Sequence, residues 1–158
     1  MSKTAERLSA LGIRLPNIPT PVGSYAPYYR AGNLLFLSGQ GARNEDGTLR
    51  KGRLGSSYTT QDGYDDARRI ALQLLATAQR AVGDLDNIRG IVKIFGMVQA
   101  DADFKEHPKV IDGCSELFME VFGERGRHAR SAVGMASLPA GLAVEIEAIF
   151  GRYPEFSV

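Results

Sequence analysis

From Leu142 to Phe150 the chain alternates strictly. Leu142, Val144, Ile146, Ala148 and Phe150 fall on one side, and Ala143, Glu145, Glu147 and Ile149 on the other. A period of two is that of a β-strand with one buried face, so both glutamates project from the same side. A shorter run, Ser131 to Ala136, predicts another strand. Between the two, Ser137-Leu138-Pro139-Ala140-Gly141 supplies the turn residues for a closing hairpin. Near the other end Tyr25, Tyr28 and Tyr29, the turn Ala31-Gly32-Asn33 and the apolar run Leu34 to Ser38 predict an opening hairpin. The stretch Ile88 to Ala100 is apolar at nearly every position from Ile91 to Val98, the pattern of a central strand covered on both faces.

Helical spacing takes over between these strands. Ala67, Ala71, Leu74, Leu75, Ala78 and Val82 recur at steps of three and four, giving one buried stripe. Thr59 and Thr60 are candidate N-caps of this helix, Asp62, Asp65 and Asp66 suit its positive end, and Gly83 suits its C-terminus. Arg68, Arg69 and Arg80 lie off the stripe, on a solvated face. A second helix starts near Pro108 and stops at Gly123, with Val110, Cys114, Leu117, Phe118 and Val121 as its core stripe. Ser2 to Leu11 reads as a short helix ending at Gly12, an outer flap. The prolines Pro16, Pro19 and Pro21 then hold an extended connector. Residues 43–58 form a long polar loop with room for a short edge hairpin around Asp46-Gly47.

The 158 residues amount to one domain, of which 1–21 are the N-terminal helix and connector. Apolar residues at 44% and charged residues at 23% are ordinary for a folded soluble protein. With 19 basic and 18 acidic residues there is no global field to gather nucleic acid or anionic lipid. One cysteine excludes an internal disulfide. With no basic-plus-apolar leader and no apolar run of about 18 to 20 residues, the expectation is a cytoplasmic protein without membrane spans.

The candidate chemistry gathers between His128 and Phe150. Arg130 stands at the start of a strand, where its planar fork fits a carboxylate or phosphate bidentately; the alternative is a salt bridge to Glu145 or Glu147. Gly39, within Gly39-Gln40-Gly41, allows either a close backbone approach to a ligand or a β-bulge. Cys114 on the core stripe is poorly placed to act as a nucleophile, and His107 belongs with the helix start. The loop Gly123 to His128 could collect anions through Arg125, Arg127 and His128. No metal-ligand spacing, phosphate-cradling lysine loop or nucleophile elbow is present. What remains is charge recognition joined to a water positioned by a carboxylate.

Gly23-Ser24-Tyr25, then Asn33 through Gln40 (NLLFLSGQ), Arg130-Ser131 and Val144 through Ile149 (VEIEAI), taken in that order, resemble the RidA/YjgF family, also labelled endoribonuclease L-PSP. The resemblance spans about Val22 to Arg152, and the N-terminal helix and longer loops mark a separate branch. It implies an α+β, chorismate-mutase-like fold: a sheet with two main helices on one face, assembled as a trimeric barrel with clefts between subunits. It also implies hydrolytic deamination of enamines and imines such as 2-aminoacrylate to 2-keto acids and ammonia, without a cofactor. By that resemblance Arg130 binds the substrate carboxylate, Glu145 positions water, and Tyr25 and the backbone at Gly39 line the cleft. The family's asparagine on the second helix has no direct counterpart, Asp112 being the nearest residue in a loop-shifted alignment and the substrate-binding candidate there, and Ala132 stands where many members have a cysteine. The alternatives from other classes are a non-catalytic trimer binding small carboxylates, as a sensor or partner protein, and an RNA-cleaving protein supported only by Arg125, Arg127 and His128.

Overall fold

The structure is a computed structural model and describes residues 2–18, 20–21 and 23–154. Its elements are α1 (Lys3–Ala10), β1 (Tyr28–Ala31), β2 (Leu34–Gly41), α2 (Thr60–Val82), β3 (Ile88–Gln99), α3 (His107–Phe122), β4 (Ala129–Met135) and β5 (Val144–Arg152). The strands form one mixed sheet in the order β1-β2-β5-β3-β4. Of the connector prolines, Pro19 lies outside the described residues.

The helices begin where local chemistry places them. Thr59 caps α2 in a reciprocal box: its hydroxyl accepts from the Asp62 N–H at 3.1 Å, and the Asp62 carboxylate accepts from the Thr59 N–H at 2.9 Å. Pro108 sits in the first turn of α3, where its missing donor costs nothing. α2 lies over β2 and β5, and α3 over β3 and β4, so both cover the same face of the sheet. Between them Gly113 brings α3 so close to α2 that a Cβ would overlap the Tyr64 carbonyl. Leu35, Ile70, Leu74, Ile94, Leu117, Phe118, Ile146 and Phe150 fill the space beneath. The Phe118 and Phe150 rings meet edge to face at 5.4 Å.

Several features depart from the sequence reading. The closing hairpin does not form: β3 lies between β4 and β5, parallel to the first and antiparallel to the second. The reason is that α3 returns the chain in the direction of β3, so β4 pairs with β3 at the sheet edge and β5 crosses to the middle. β3 is covered on one face only within the chain. Ile91, Ile94 and Val98 meet the helices, whereas Val92 and Lys93 are exposed. The other face of the sheet also leaves Phe36 40% exposed and Val92 44% exposed, large apolar groups without cover in a single chain.

α1 is docked rather than an outer flap. Asp86 accepts from the backbone N–H groups of Lys3 and Thr4 at 2.8 and 2.9 Å, closing the helix N-terminus, and Arg7 donates to the Glu120 carbonyl on α3 at 2.8 Å. Asp66 is not a helix-end charge. It is fully buried and paired with Arg50 of the 43–58 loop. Arg68, expected on a solvated face, reaches α3 and holds Glu120 with both terminal nitrogens, at 3.2 and 2.8 Å.

Candidate functional site

The alternation in β5 turns Val144, Ile146 and Ala148 to the helices and leaves Glu145 and Glu147 on the opposite face. Beside them β2 carries a bulge: Leu37 pairs with Ala148 and Gln40 with Ile146, so Ser38 and Gly39 together face Glu147. The extra residue turns Gly39 toward the Glu145 side chain, close enough that a Cβ on Gly39 would overlap Glu145 Oε1. Gly39-Gln40-Gly41 is therefore both a bulge and a point of close approach. Gln40 goes the other way, donating to Thr77 Oγ1 at 2.9 Å and accepting from Gln73 Nε2 at 3.1 Å, while Gln73 also donates to the Gly41 carbonyl at 3.0 Å. That amide chain ties the bulge to α2.

A concavity of about 650 Å³ opens over this corner. Tyr25, Gly39 and Glu145 line it, together with Glu147, Arg43 and Gln73. Ile18, Thr20 and Pro21 form part of its wall, so the connector after α1 borders the cavity. Burial, with the neighbouring charge of Glu147 added, raises the Glu145 carboxyl above the usual glutamate range. A carboxyl so shifted exchanges protons nearer neutrality than an exposed one.

Arg130 is elsewhere. It pairs with Ile94 across β3 and β4, on the helix-facing side, and its Nη1 donates to Asp112 Oδ1 at 2.7 Å and to Ser115 Oγ at 3.1 Å. Nη2 reaches the Pro108 carbonyl at 3.4 Å. The salt bridge weighed from the sequence, to Glu145 or Glu147, is thus made to Asp112 instead. Asp112 and Ser115, three apart on α3, share the helix face that meets β4.

His128 steadies the arrangement. Its Nδ1 donates to the Gly126 carbonyl at 2.6 Å, which leaves Nε2 to accept the Ser115 hydroxyl at 2.9 Å. Burial lowers the His128 pKa and the nearby Arg130 charge adds to the effect, so the ring is neutral at pH 7 as this tautomer requires.

One chain therefore brings together Tyr25, Gly39 and Glu145, and separately Arg130 and Asp112, but does not join the two sets. Glu145 pairs with Met97 from one side of β3 and Arg130 with Ile94 from the other, on opposite faces. The anion-collecting loop also dissolves. Arg125 donates to the Ile88 carbonyl at 2.6 Å and lies over the Phe122 ring, Arg127 is near Glu124, and His128 faces inward. Cys114 is fully buried and its pKa is driven far up by desolvation, which makes a thiolate nucleophile untenable. Among the described residues no three His, Cys, Asp or Glu side chains are placed to hold a metal ion, and no helix is long and apolar enough to cross a membrane.

Sequence reasoning missed Ser115, the inward hydrogen bonding of His128, Gln73 and the connector wall. A serine three residues after Asp112 on one helix face was the available sign for the first. Gln73, a lone polar group beside the apolar stripe of α2, was the sign for the third. Nothing local marked the wall.

Known proteins resemble this chain over most of its length. Residues 5–150 match the family described as "YjgF/chorismate mutase-like, putative endoribonuclease". Protein TCP17 of Trypanosoma cruzi is 43% identical over 148 residues, covering 93% of this chain and 92% of that protein. A 2-iminobutanoate/2-iminopropanoate deaminase of Dermatophagoides farinae is 29% identical, covering 87% and 92%. The crystal structure of Atu1372 from Agrobacterium tumefaciens, a protein of unknown function, superposes with a TM-score of 0.86 at 39% identity over 95% of this chain and 94% of that one. With residues 5–150 matched and its fold shared with that crystal structure over 95% of its length, the chain belongs to the YjgF/chorismate mutase-like family.

Proposed function

We propose that this protein hydrolyses short α-imino acids, and the enamines that tautomerise to them, to 2-keto acids and ammonia. In this reading it works as a homotrimer in which each site takes Arg130 from one copy and Glu145 from the next. The observation that carries the proposal is the placement of the two groups: Arg130, held by Asp112 and Ser115, and Glu145, half-buried beside Gly39 with a raised pKa, lie on opposite faces of one sheet. The apolar face around Phe36 and Val92 gives a second copy a surface to cover. The deaminase relative supports the reaction class.

The chemistry needs little more. Arg130 grips the substrate carboxylate and fixes the imine carbon over Glu145. Glu145 takes a proton from water as the water oxygen bonds to that carbon, and the C=N bond becomes single. The proton then passes to nitrogen, and as Glu145 takes the hydroxyl proton the C–N bond breaks, the carbonyl forms and ammonia leaves. A protonated imine is already electrophilic, so the protein supplies position and proton transfer.

The test is an imine generated in situ by an amino-acid oxidase and trapped as its semicarbazone. Wild type is expected to deplete the trapped product, with Arg130→Ala and Glu145→Gln each slower by about 100-fold or more. Wild type that leaves the semicarbazone yield untouched overturns the proposal. One observation favours a second reading, a trimer that binds carboxylates without turnover: Arg130 is already partnered by Asp112. Binding of 2-keto acids in calorimetry, with no imine hydrolysis, would select it.

A further inference from the structure

We propose that Asp112 makes the Arg130 guanidinium selective for a zwitterion, with Arg130 taking a carboxylate and Asp112 taking the positively charged nitrogen on the adjacent carbon. The inference rests on the reading of Arg130 as the carboxylate clamp.

Asp112 offers Arg130 one oxygen, Oδ1 at 2.7 Å. Its Oδ2 makes no hydrogen bond to any described residue, and its side chain is 40% exposed, so one charged acceptor remains for a ligand. Asp112 does not hold the guanidinium alone. Ser115 Oγ and the Pro108 carbonyl also receive Arg130, and His128 fixes the serine from behind. A carboxylate beyond what anchoring needs, set directly against the clamp, has an electrostatic consequence.

An isolated guanidinium attracts any small carboxylate. Beside Asp112 that attraction is largely offset for a monoanion, because the incoming carboxylate meets a like charge next to the unlike one. A ligand with both charges in the complementary order meets favourable terms at both. The protonated imine of an α-imino acid has that order: its nitrogen cation and its carboxylate are both borne by the α carbon, a spacing that suits an adjacent N and O pair. A 2-keto acid presents a carbonyl oxygen in place of the nitrogen and has no proton to give Asp112. The Arg130–Asp112 pair therefore holds substrate and disfavours product. Asp112 would also favour the protonated, electrophilic form of the bound imine.

L-Alanine and pyruvate are a matched, stable pair for the test, equal in heavy-atom count and differing in the group on the α carbon. In calorimetry at neutral pH, wild type is expected to bind alanine about tenfold or more tightly than pyruvate. Asp112→Asn should cut that ratio at least about tenfold, chiefly by tightening pyruvate, while Asp112→Glu keeps the wild-type order. The proposal is overturned if the ratio is the same in Asp112→Asn, if both ligands weaken in parallel as a mere anchor of Arg130 would cause, or if wild type binds neither. Imine hydrolysis is measured on the same preparations. Hydrolysis by wild type with an unmoved ratio removes the role of Asp112 alone. A moved ratio without hydrolysis removes the deaminase reading alone.

Discussion

At the scale of single residues the site depends on how closely Gly39 approaches Glu145. Gly39→Ala would put a methyl where Glu145 Oε1 lies, and the flexible carboxylate rather than the backbone would yield. Imine hydrolysis is expected to fall by about 10-fold or more while the melting temperature barely moves, since the clash relaxes at the end of a side chain. Glu145 itself carries a pH signature. Its folded-state pKa is raised by burial, so the folded chain holds the proton more tightly than the unfolded one. Its effect on stability is then nil below the ordinary glutamate pKa and grows unfavourable as pH rises through the folded value. Glu145→Gln should melt above wild type at pH 8, with the gap closing below about pH 4. A gap that instead widens in acid would contradict the sign of that shift. Arg130, Glu145 and Tyr25 could be picked out from sequence because each sits in a short motif. The Asp112 partnership could not, because α3 and β4 must pack before residues 18 positions apart meet.

At the scale of elements, the buried ion pair of Arg50 with Asp66 helps tie down the loop 43–58, beside hydrogen bonds from Arg53 to the Ala100 and Ala136 carbonyls. Asp66 is fully buried and its second oxygen lacks a hydrogen-bond partner among the described residues. Burial raises its pKa in spite of Arg50, which is the stronger influence to be expected of so enclosed a carboxyl. Arg50→Met is expected to cost about 3 kcal/mol at neutral pH, less in acid where the stranded carboxyl takes a proton. Adding Asp66→Asn should restore more than half, as read by urea denaturation. Every helix and strand inferred from periodicity is present, because spacing reports which face of an element is buried. Spacing says nothing about which strand lies next to which. The turn residues 137–141 suggested a hairpin, yet they carry the chain past β3. Asp66 likewise matched a helix-end pattern that depends only on local order, and its partner came from a loop 16 residues away.

At the scale of the whole molecule, the proposed sharing of each site between two copies makes a prediction that no single-chain enzyme would share. Arg130→Ala and Glu145→Gln proteins, each inactive alone, should regain activity when unfolded together and refolded as a mixture. In a trimer with sites between neighbours, about a quarter of the sites in an equal mixture pair an intact Arg130 with an intact Glu145. Mixtures no more active than either parent would mean that each site is complete within one chain. The apolar residues on the open sheet face hinted at such a partner from the sequence, but only coordinates could place Arg130 and Glu145 on opposite faces. Cys114 offers a different use. It is the sole cysteine, fully enclosed beneath α3, with a thiol that resists ionisation. A thiol reagent can reach it only when the core opens, so labelling of the unmodified protein acts as a clock for that opening. The same clock, run with and without alanine, would report ligand binding as a slower tick, with no engineered probe and no substrate turnover required.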